Sequence, residues 1–377
     1  MEPRRNLISH KKPAYPVSDY LADYLSRYDR LAEGGIRYAD LARYAGQTPL
    51  YDEHGHDTLW STVFYGPAES REVHDALRRT YALLKSAGDL STVEHLYVDR
   101  VDVCLYGNTL PFRVRIVNRL NENFDYFYVK RADASRVYGL ELEHILSPNH
   151  INFLLTGAYA PHEVQTLIEE HIVGIPGDMF IRDYLPEGRF DQVRLAKEFV
   201  KFNERCFVRL LGDMHAGNFV LDLTPDFEKL HYRIRPVDFD QQSHHPRRQV
   251  YLPQFFAANN PIIAFGLEHL DATSVDQYQR EERALIAGRL RVGHDRYKAL
   301  MDVMREDLIA PEAFVSGLAR TLAAHYADDG FLAAETMGDL VYRSLELLLR
   351  RAEPASARLL AGATAADAAE YVERFVD

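Results

Sequence analysis

The hydrophobic period of the chain changes near residue 93. Residues 93–103, 112–120 and 125–130 (VEHLYVDRVDV, FRVRIVNRL and DYFYVK) each alternate apolar and polar side chains, or nearly so. A period of two puts successive residues on opposite faces of a strand, so three such runs in close succession predict an antiparallel meander with one buried face. The preceding stretches carry the helical period instead. Tyr20, Leu21, Tyr24, Leu25, Tyr28 and Leu31 recur at helical spacing over residues 18–32, with Ser18 placed to cap the start and Gly34 and Gly35 to stop it. Val73, Ala76, Leu77, Tyr81 and Leu84 mark a second helix over about residues 69–86, ended by Gly88.

After the meander the pattern predicts a helix at about 136–147, a strand at 166–172, a turn at GIPGD and a long helix over 191–206. Two short apolar strands follow, 219–223 and 232–237, joined by TPDFEKL. From about residue 255 the chain reads as mostly helical. Met337, Leu340, Val341, Leu345 and Leu348 form one apolar stripe, closed by Pro354. No repeat of 20–50 residues interrupts this order, which predicts an α+β fold.

Composition narrows the partners. Of 377 residues, 47% are apolar, enough for a sizeable core. The formal net charge of -12 argues against nucleic acid, whose phosphates need a Lys/Arg footprint. Two cysteines, Cys104 and Cys206, do not make a disulfide framework. The basic start MEPRRNLISHKKPAYP is not followed by an apolar segment of signal-peptide type, and no stretch has the length of a charge-free membrane span. These features lead to the expectation of a cytoplasmic protein without a membrane partner.

The densest concentration of chemistry is Gly212-Asp213-Met214-His215-Ala216-Gly217-Asn218, followed by Asp238-Phe239-Asp240. Asp213 and Asn218 precede the first strand of the expected hairpin and Asp238 follows its second strand. A hairpin brings its two ends together, so Asp213, Asn218 and Asp238 are expected to converge. Asp213 is suited to orient a hydroxyl and accept its proton. Asn218 and Asp238 supply hard oxygen ligands of the kind Mg²⁺ shares with phosphates.

This segment resembles the protein-kinase-like superfamily, which carries an Asp, an Asn five residues on, and a metal-binding Asp after the next hairpin. The His at 215, the Gly at 217 and Asp rather than Gly at 240 are similar to the aminoglycoside phosphotransferase branch of small-molecule kinases. The chain departs from that branch at Leu211, where a His often stands. The resemblance implies a two-lobed fold, with a small nucleotide-binding lobe (91–173) and a mainly helical catalytic and substrate lobe (174–377); residues 1–90, expected as an N-terminal helical extension, have no counterpart in it. It implies ATP and Mg²⁺ as cofactors, with Asp213 catalytic, Asn218, Asp238 and Asp240 at the metal, and His215 as part of the motif. Lys130, ending the third alternating run, would hold nucleotide phosphates and pair with a helix glutamate, Glu141 or Glu143. The segment 166–174 is similar to the family's hinge, with backbone near Glu170 and Ile172 meeting the adenine edge. The turn 105–110 takes the place of the phosphate loop, offering Asn108 and Thr109 but one glycine.

The expected activity is transfer of the γ-phosphate to a hydroxyl of a small-molecule acceptor. A catalytically silent kinase-like binding module, a protein kinase and an AMP-transferring enzyme are the alternatives on the same fold. The glycine-poor phosphate loop motivates the silent module, and the complete Asp213, Asn218, Asp238 set argues against it. Two further groups read as polar loops: His54 and His56, which lack a third metal ligand, and His244, His245, Arg247 and Arg248 beyond the Asp-Phe-Asp segment. Walker A, Rossmann, HExxH and GxSxG patterns do not occur.

Overall fold

The structure, a computed structural model, describes residues 12–52, 54–105, 109–157, 165–188, 190–226 and 229–352. The chain opens with α1 (Asp19–Arg27), where Ser18 Oγ accepts from the Leu21 amide at 3.2 Å, and the short strand β1 (Leu31–Ala32). Next come α2 (Tyr38–Leu41), a hairpin of β2 (Gly46–Tyr51) and β3 (Asp57–Phe64), and α3 (Pro67–Ser86). Helix α3 ends in the left-handed region at Ala87 (φ 51°) and Gly88 (φ 89°). The meander follows as β4 (Leu96–Cys104), β5 (Phe112–Asn118) and β6 (Phe124–Arg131), then α4 (Ala134–Leu146), β7 (Phe153–Thr156) and β8 (Thr166–Glu170). These strands form one eight-stranded sheet in the order β1-β7-β8-β6-β5-β4-β3-β2, antiparallel except for the β1–β7 pair.

The second half begins with β9 (Ile175–Pro176), α5 (Gly177–Met179) and α6 (Gln192–Val208), capped by Asp191 through the Arg194 amide at 3.1 Å. The hairpin β10 (Phe219–Asp226) and β11 (Lys229–Pro236) pairs with β9 in a three-stranded sheet. Helices α7 (Asn260–His269), α8 (Ala272–Val292), α9 (His294–Glu306), α10 (Glu312–Tyr326) and α11 (Met337–Arg351) complete the described chain. The fold is therefore mixed α+β. Pro354, expected to close the last helix, lies outside the described residues.

One difference from the sequence expectation concerns residues 1–90, expected as a helical extension carrying two helices and no strand. They also contribute the β2–β3 hairpin, which extends the sheet by pairing β3 with β4 (Trp60 opposite Cys104). Strand β2 is half-buried at best, so its sequence lacks the apolar alternation that announces a strand.

Two cores flank the sheet. One is built by α3 and the residues around α2 against Val103, Phe112, Val114, Ile116, Phe127 and Val129. The other runs from α1 and α4 through the helical half. Strands β7 and β8 serve both by alternation: Leu154 and Ile168 enter the first core, Phe153, Leu155 and Leu167 the second. Among the described residues no helix is long and apolar enough to cross a membrane.

Helix α4 is central to the site, because almost all of it is buried. Residues 12–18 strap its start. Lys12 Nζ lies 2.5 Å from Asp133 Oδ2, the Tyr15 amide donates to Asp133 Oδ1 at 2.8 Å, and the Ala134 amide donates to the Tyr15 carbonyl at 2.8 Å. Its far side carries Glu141, fully buried and held by Tyr24 of α1 (2.6 Å), Arg30 (3.0 Å) and Arg296 of α9 (2.8 Å).

Candidate active site

The stripe of α4 that faces the second hairpin is Arg136, Gly139, Leu140 and Glu143, spaced i, i+3, i+4 and i+7. It packs directly on the Asp238-Phe239-Asp240 segment that follows β11. Gly139 lets the two approach closely: a Cβ at this position would come within 3.0 Å of the Phe239 side chain. Phe239 is fully buried, with the guanidinium groups of Arg136 and Arg209 at 6.0 and 5.8 Å from its ring centre.

The catalytic-loop candidate, residues 212–218, is stitched to the same place by backbone. Gly212 N donates to Gln241 O (3.1 Å), Asp213 N to Val250 O (3.0 Å), and Val237 N to Asn218 O (3.0 Å). The Asn218 side-chain amide donates to the Asp213 carbonyl at 2.9 Å, which leaves its Oδ1 available as an acceptor. Asn259, fully buried beyond the hairpin, donates to Met214 O at 2.9 Å and pins the loop from behind. Asp213 itself sits at φ 64°, a left-handed conformation that costs a non-glycine residue roughly 1–2 kcal/mol. The surrounding bonds hold it there, as expected where backbone strain positions a functional side chain.

Asp213, Asn218 and Asp238 therefore converge, as the hairpin argument predicts. The electrostatics reflect it. Burial and the Asp238 and Asp240 carboxylates push Asp213 up to about 7. Burial, then the neighbouring Asp238, raise Asp240 above the usual carboxylate range. Asp238 is held below it: burial opposes ionisation, but Arg136 and Lys130 outweigh that cost.

Lys130 is placed as expected, near the end of β6 and 8% exposed, but its partner is not. Its Nζ donates to Glu169 Oε2 on the neighbouring strand β8 at 2.6 Å. Both glutamates expected for this role are engaged elsewhere. Glu141 faces α1 and α9, and Glu143 pairs with Arg209. The reason lies in helix geometry: Glu141 is five residues beyond Arg136 and projects from the opposite side of α4.

The α4 residue that does reach the site is Arg136, 1% exposed. Its Nε and Nη2 grip Glu169 as a fork, the latter at 2.8 Å to Oε2. Its Nη1 donates to Asp238 Oδ1 (2.7 Å) and Asp240 Oδ1 (2.8 Å). A buried chain of alternating charge results: Lys130, Glu169, Arg136, then the Asp238–Asp240 pair. Burial disfavours the Glu169 charge, yet Arg136 and Lys130 hold its carboxyl down at about 2.

The remaining expectations fall unevenly. Glu170 ends β8 and pairs with Lys85, and Ile172 is buried just beyond it. Thr109 lies in the turn between β4 and β5, whereas Asn108 lies outside the described residues. His215 accepts from the Gly217 amide through Nδ1 at 3.1 Å and shapes the loop. His54 and His56 stand in the exposed β2–β3 turn, where His56 pairs with Asp52 at 3.1 Å. His244, expected in a solvated loop, is instead a core residue, 5% exposed with Nδ1 3.0 Å from Ile309 O. Arg248 lies 2.7 Å from His325 Nδ1.

Among the described residues no three His, Cys, Asp or Glu side chains are grouped to hold a metal ion by themselves. The oxygen donors present are two carboxylates and one amide, a set that fits a hard cation completed by ligand oxygens. Arg136 takes Oδ1 of each aspartate, and among the described residues nothing donates to either Oδ2. The Asp238 side chain is one-third exposed. No protein-family model matches the chain, and no curated protein matches it.

The sheet face that carries Lys130 is polar and aromatic. Asp102, fully buried, accepts from Arg113 (2.9 Å) and Thr62 (2.8 Å), and Arg113 lies 4.5 Å over the Trp60 ring. Trp60 and Tyr128 have ring centres 6.3 Å apart. Sequence reasoning passed over Trp60, Arg136, Glu169 and Asn259. For Glu169 a signal existed: it falls two residues past Leu167, which pairs with Lys130, hence on the same face, but only once the β6–β8 register is known.

Proposed function

We propose that the protein is an ATP- and Mg²⁺-dependent phosphotransferase that moves the γ-phosphate to a hydroxyl of a small molecule, on a two-lobed kinase-like arrangement. The observation that carries this reading is the convergence of Asp213, Asn218 and Asp238 beside the buried Lys130–Glu169 pair.

In this reading the acceptor hydroxyl meets Asp213, whose carboxylate titrates near neutrality and is therefore suited to take up its proton. Lys130 neutralises nucleotide phosphate while Glu169 keeps its ammonium in place. Asn218, Asp238 and Asp240 would hold Mg²⁺, which would supply charge neutralisation at the phosphates. Asn218 also fixes the Asp213 backbone, so one residue orients both parts of the site. The protein's contribution is position and charge rather than covalent chemistry.

One observation favours a second reading, a nucleotide-binding module without transfer: Arg136 already engages both metal-loop aspartates. Incubation with Mg²⁺, ATP labelled at the α- and γ-phosphates and a panel of hydroxyl-bearing small molecules separates the two. Transfer of γ-label, abolished by Asp213→Asn, supports the phosphotransferase. Nucleotide binding without release or transfer supports the silent module, and α-label on an acceptor would make the chain an AMP transferase. Absence of any nucleotide binding defeats all three.

A further inference from the structure

Arg136 has an arrangement that the transfer chemistry does not require. It is the most deeply buried cation of the site, its side chain 2% exposed, and it touches every carboxylate of the inner cluster except Asp213. Asp238 and Asp240 stand two residues apart in one tight segment, where Asp240 N donates to Asp238 Oδ1 at 3.0 Å. Two carboxylates so close repel one another, and burial magnifies that repulsion. The usual remedy is a bound cation. Here the guanidinium supplies the positive charge, with one Nη1 shared between the two Oδ1 atoms at 2.7 and 2.8 Å.

Resting on the phosphotransferase reading of this pair, we propose that Arg136 is an internal counter-cation for Asp238 and Asp240: it keeps the pair folded without metal and prevents the protein alone from holding a divalent cation tightly. Three features of the site agree. The inner oxygen of each aspartate is taken by Arg136, so only the outer oxygens and Asn218 Oδ1 remain for a metal. A divalent ion at those oxygens is repelled by a guanidinium bonded to the same carboxylates. The guanidinium cannot withdraw by losing its proton, and its fork on Glu169 fixes it in place. The consequence is an order of binding. The metal arrives with the nucleotide, whose phosphate oxygens complete the ligand set and whose negative charge outweighs the repulsion. Glu169 then links the two halves, since it is bonded both to Arg136 and to Lys130.

The test uses Mn²⁺ alone as probe, on the full chain with no nucleotide or acceptor, read by calorimetry and by the shift in unfolding temperature. Wild type is expected to show neither micromolar binding nor a stabilising shift. Arg136→Met is expected to unfold at a lower temperature without metal, to be restored by Mn²⁺, and to bind it at least about tenfold more tightly than wild type. If Arg136→Met does not fold, the double variant Arg136→Met/Asp240→Asn removes one of the repelling charges and is expected to regain metal-free stability, which a mere packing role for Arg136 does not produce. Micromolar Mn²⁺ binding by wild type overturns the proposal. So does a folded Arg136→Met that gains no Mn²⁺ affinity, or a double variant no more stable than Arg136→Met. None of these readouts depends on phosphate transfer, so a chain that never transfers phosphate defeats the proposed function while leaving the counter-cation role to stand on its own result.

Discussion

Lys130 and Glu169 form a buried ion pair across adjacent strands, 2.6 Å apart, while Glu141 on α4 is bound by Tyr24, Arg30 and Arg296 on the far side of the helix. The two glutamates therefore do different work, and substitution separates them. Glu141→Gln leaves two arginines facing a neutral group in the α1–α4–α9 contact. Breaking a buried pair in this way costs about 3–5 kcal/mol, seen as a lower denaturation midpoint, with nucleotide affinity unchanged at temperatures where the variant is folded. Lys130→Met is expected to do the reverse. Its loss leaves Glu169 still forked by Arg136, so stability changes little and nucleotide affinity falls. An Glu141→Gln variant with wild-type stability and weakened nucleotide binding would return the lysine's partner to the helix.

Trp60 is the only tryptophan in the chain and shares a sheet face with Lys130. Its ring lies under Arg113 and 6.3 Å from Tyr128, whose own ring is 5.5 Å from Lys130 Nζ. Nucleotide engaging Lys130 is thus expected to change intrinsic tryptophan emission, with Arg113→Met altering the unliganded spectrum. Titration with ATP in a fluorimeter checks this directly. Binding detected by calorimetry with a silent Trp60 would mean that the nucleotide sits elsewhere.

Much of this layout is legible in the sequence because it depends on local pattern. The β4–β6 alternation, the Ser18 cap and the stripe of α11 are short-range signals, and the convergence of Asp213 with Asp238 follows from one hairpin. What was not legible depends on relations between distant segments. Glu169 faces Lys130 only because of the β6–β8 register, and a slip of one residue would turn it away. Arg136 and Glu141 lie on one helix and both read as polar helix residues. Which of them meets the site is decided by Phe239 packing against Gly139, a contact a hundred residues apart in sequence. Strands β2 and β3 were missed because their mostly exposed faces leave little apolar alternation to read.

Acid should weaken the fold through its half-buried histidines. Burial, then Arg296, Arg30 and His150, hold His144 down at about 4, and burial, Arg247 and His244 do the same for His245. Both are neutral in the fold at pH values where the unfolded chain would protonate them. Their contribution is present above the unfolded value of 6.5 and is lost as pH falls towards 4. Asp213, Asp240 and Glu204, whose values burial raises, act in the opposite sense over part of this window, but burial also holds down His74, His150, His171, His215, His244 and His325, so the histidines outnumber them. The denaturation midpoint is expected to fall between pH 7 and pH 5, and His144→Gln, which keeps an acceptor for Arg30, should flatten the slope. A midpoint that rises on acidification contradicts this account.

Asp213 links activity to stability with a definite sign. Its folded-state value, about 7, lies above the ordinary carboxylate value of 3.8, so the fold favours its neutral form. The stability this confers is complete below the unfolded value and disappears as pH rises through about 7. Above that, an ionised Asp213 faces Asp238 and Asp240 in a partly buried site. Asp213→Asn removes that repulsion while keeping the shape. The variant should unfold at a higher temperature than wild type at pH 8, with the difference vanishing below about pH 4. Its phosphate-transfer rate should drop by about 10²–10⁴-fold if Asp213 is the base, and the acid limb of the wild-type kcat/KM profile should be missing. A variant less stable than wild type at pH 8 would mean that Asp213 makes a favourable contact its charge requires, and the base assignment would lose the raised affinity for protons on which it rests.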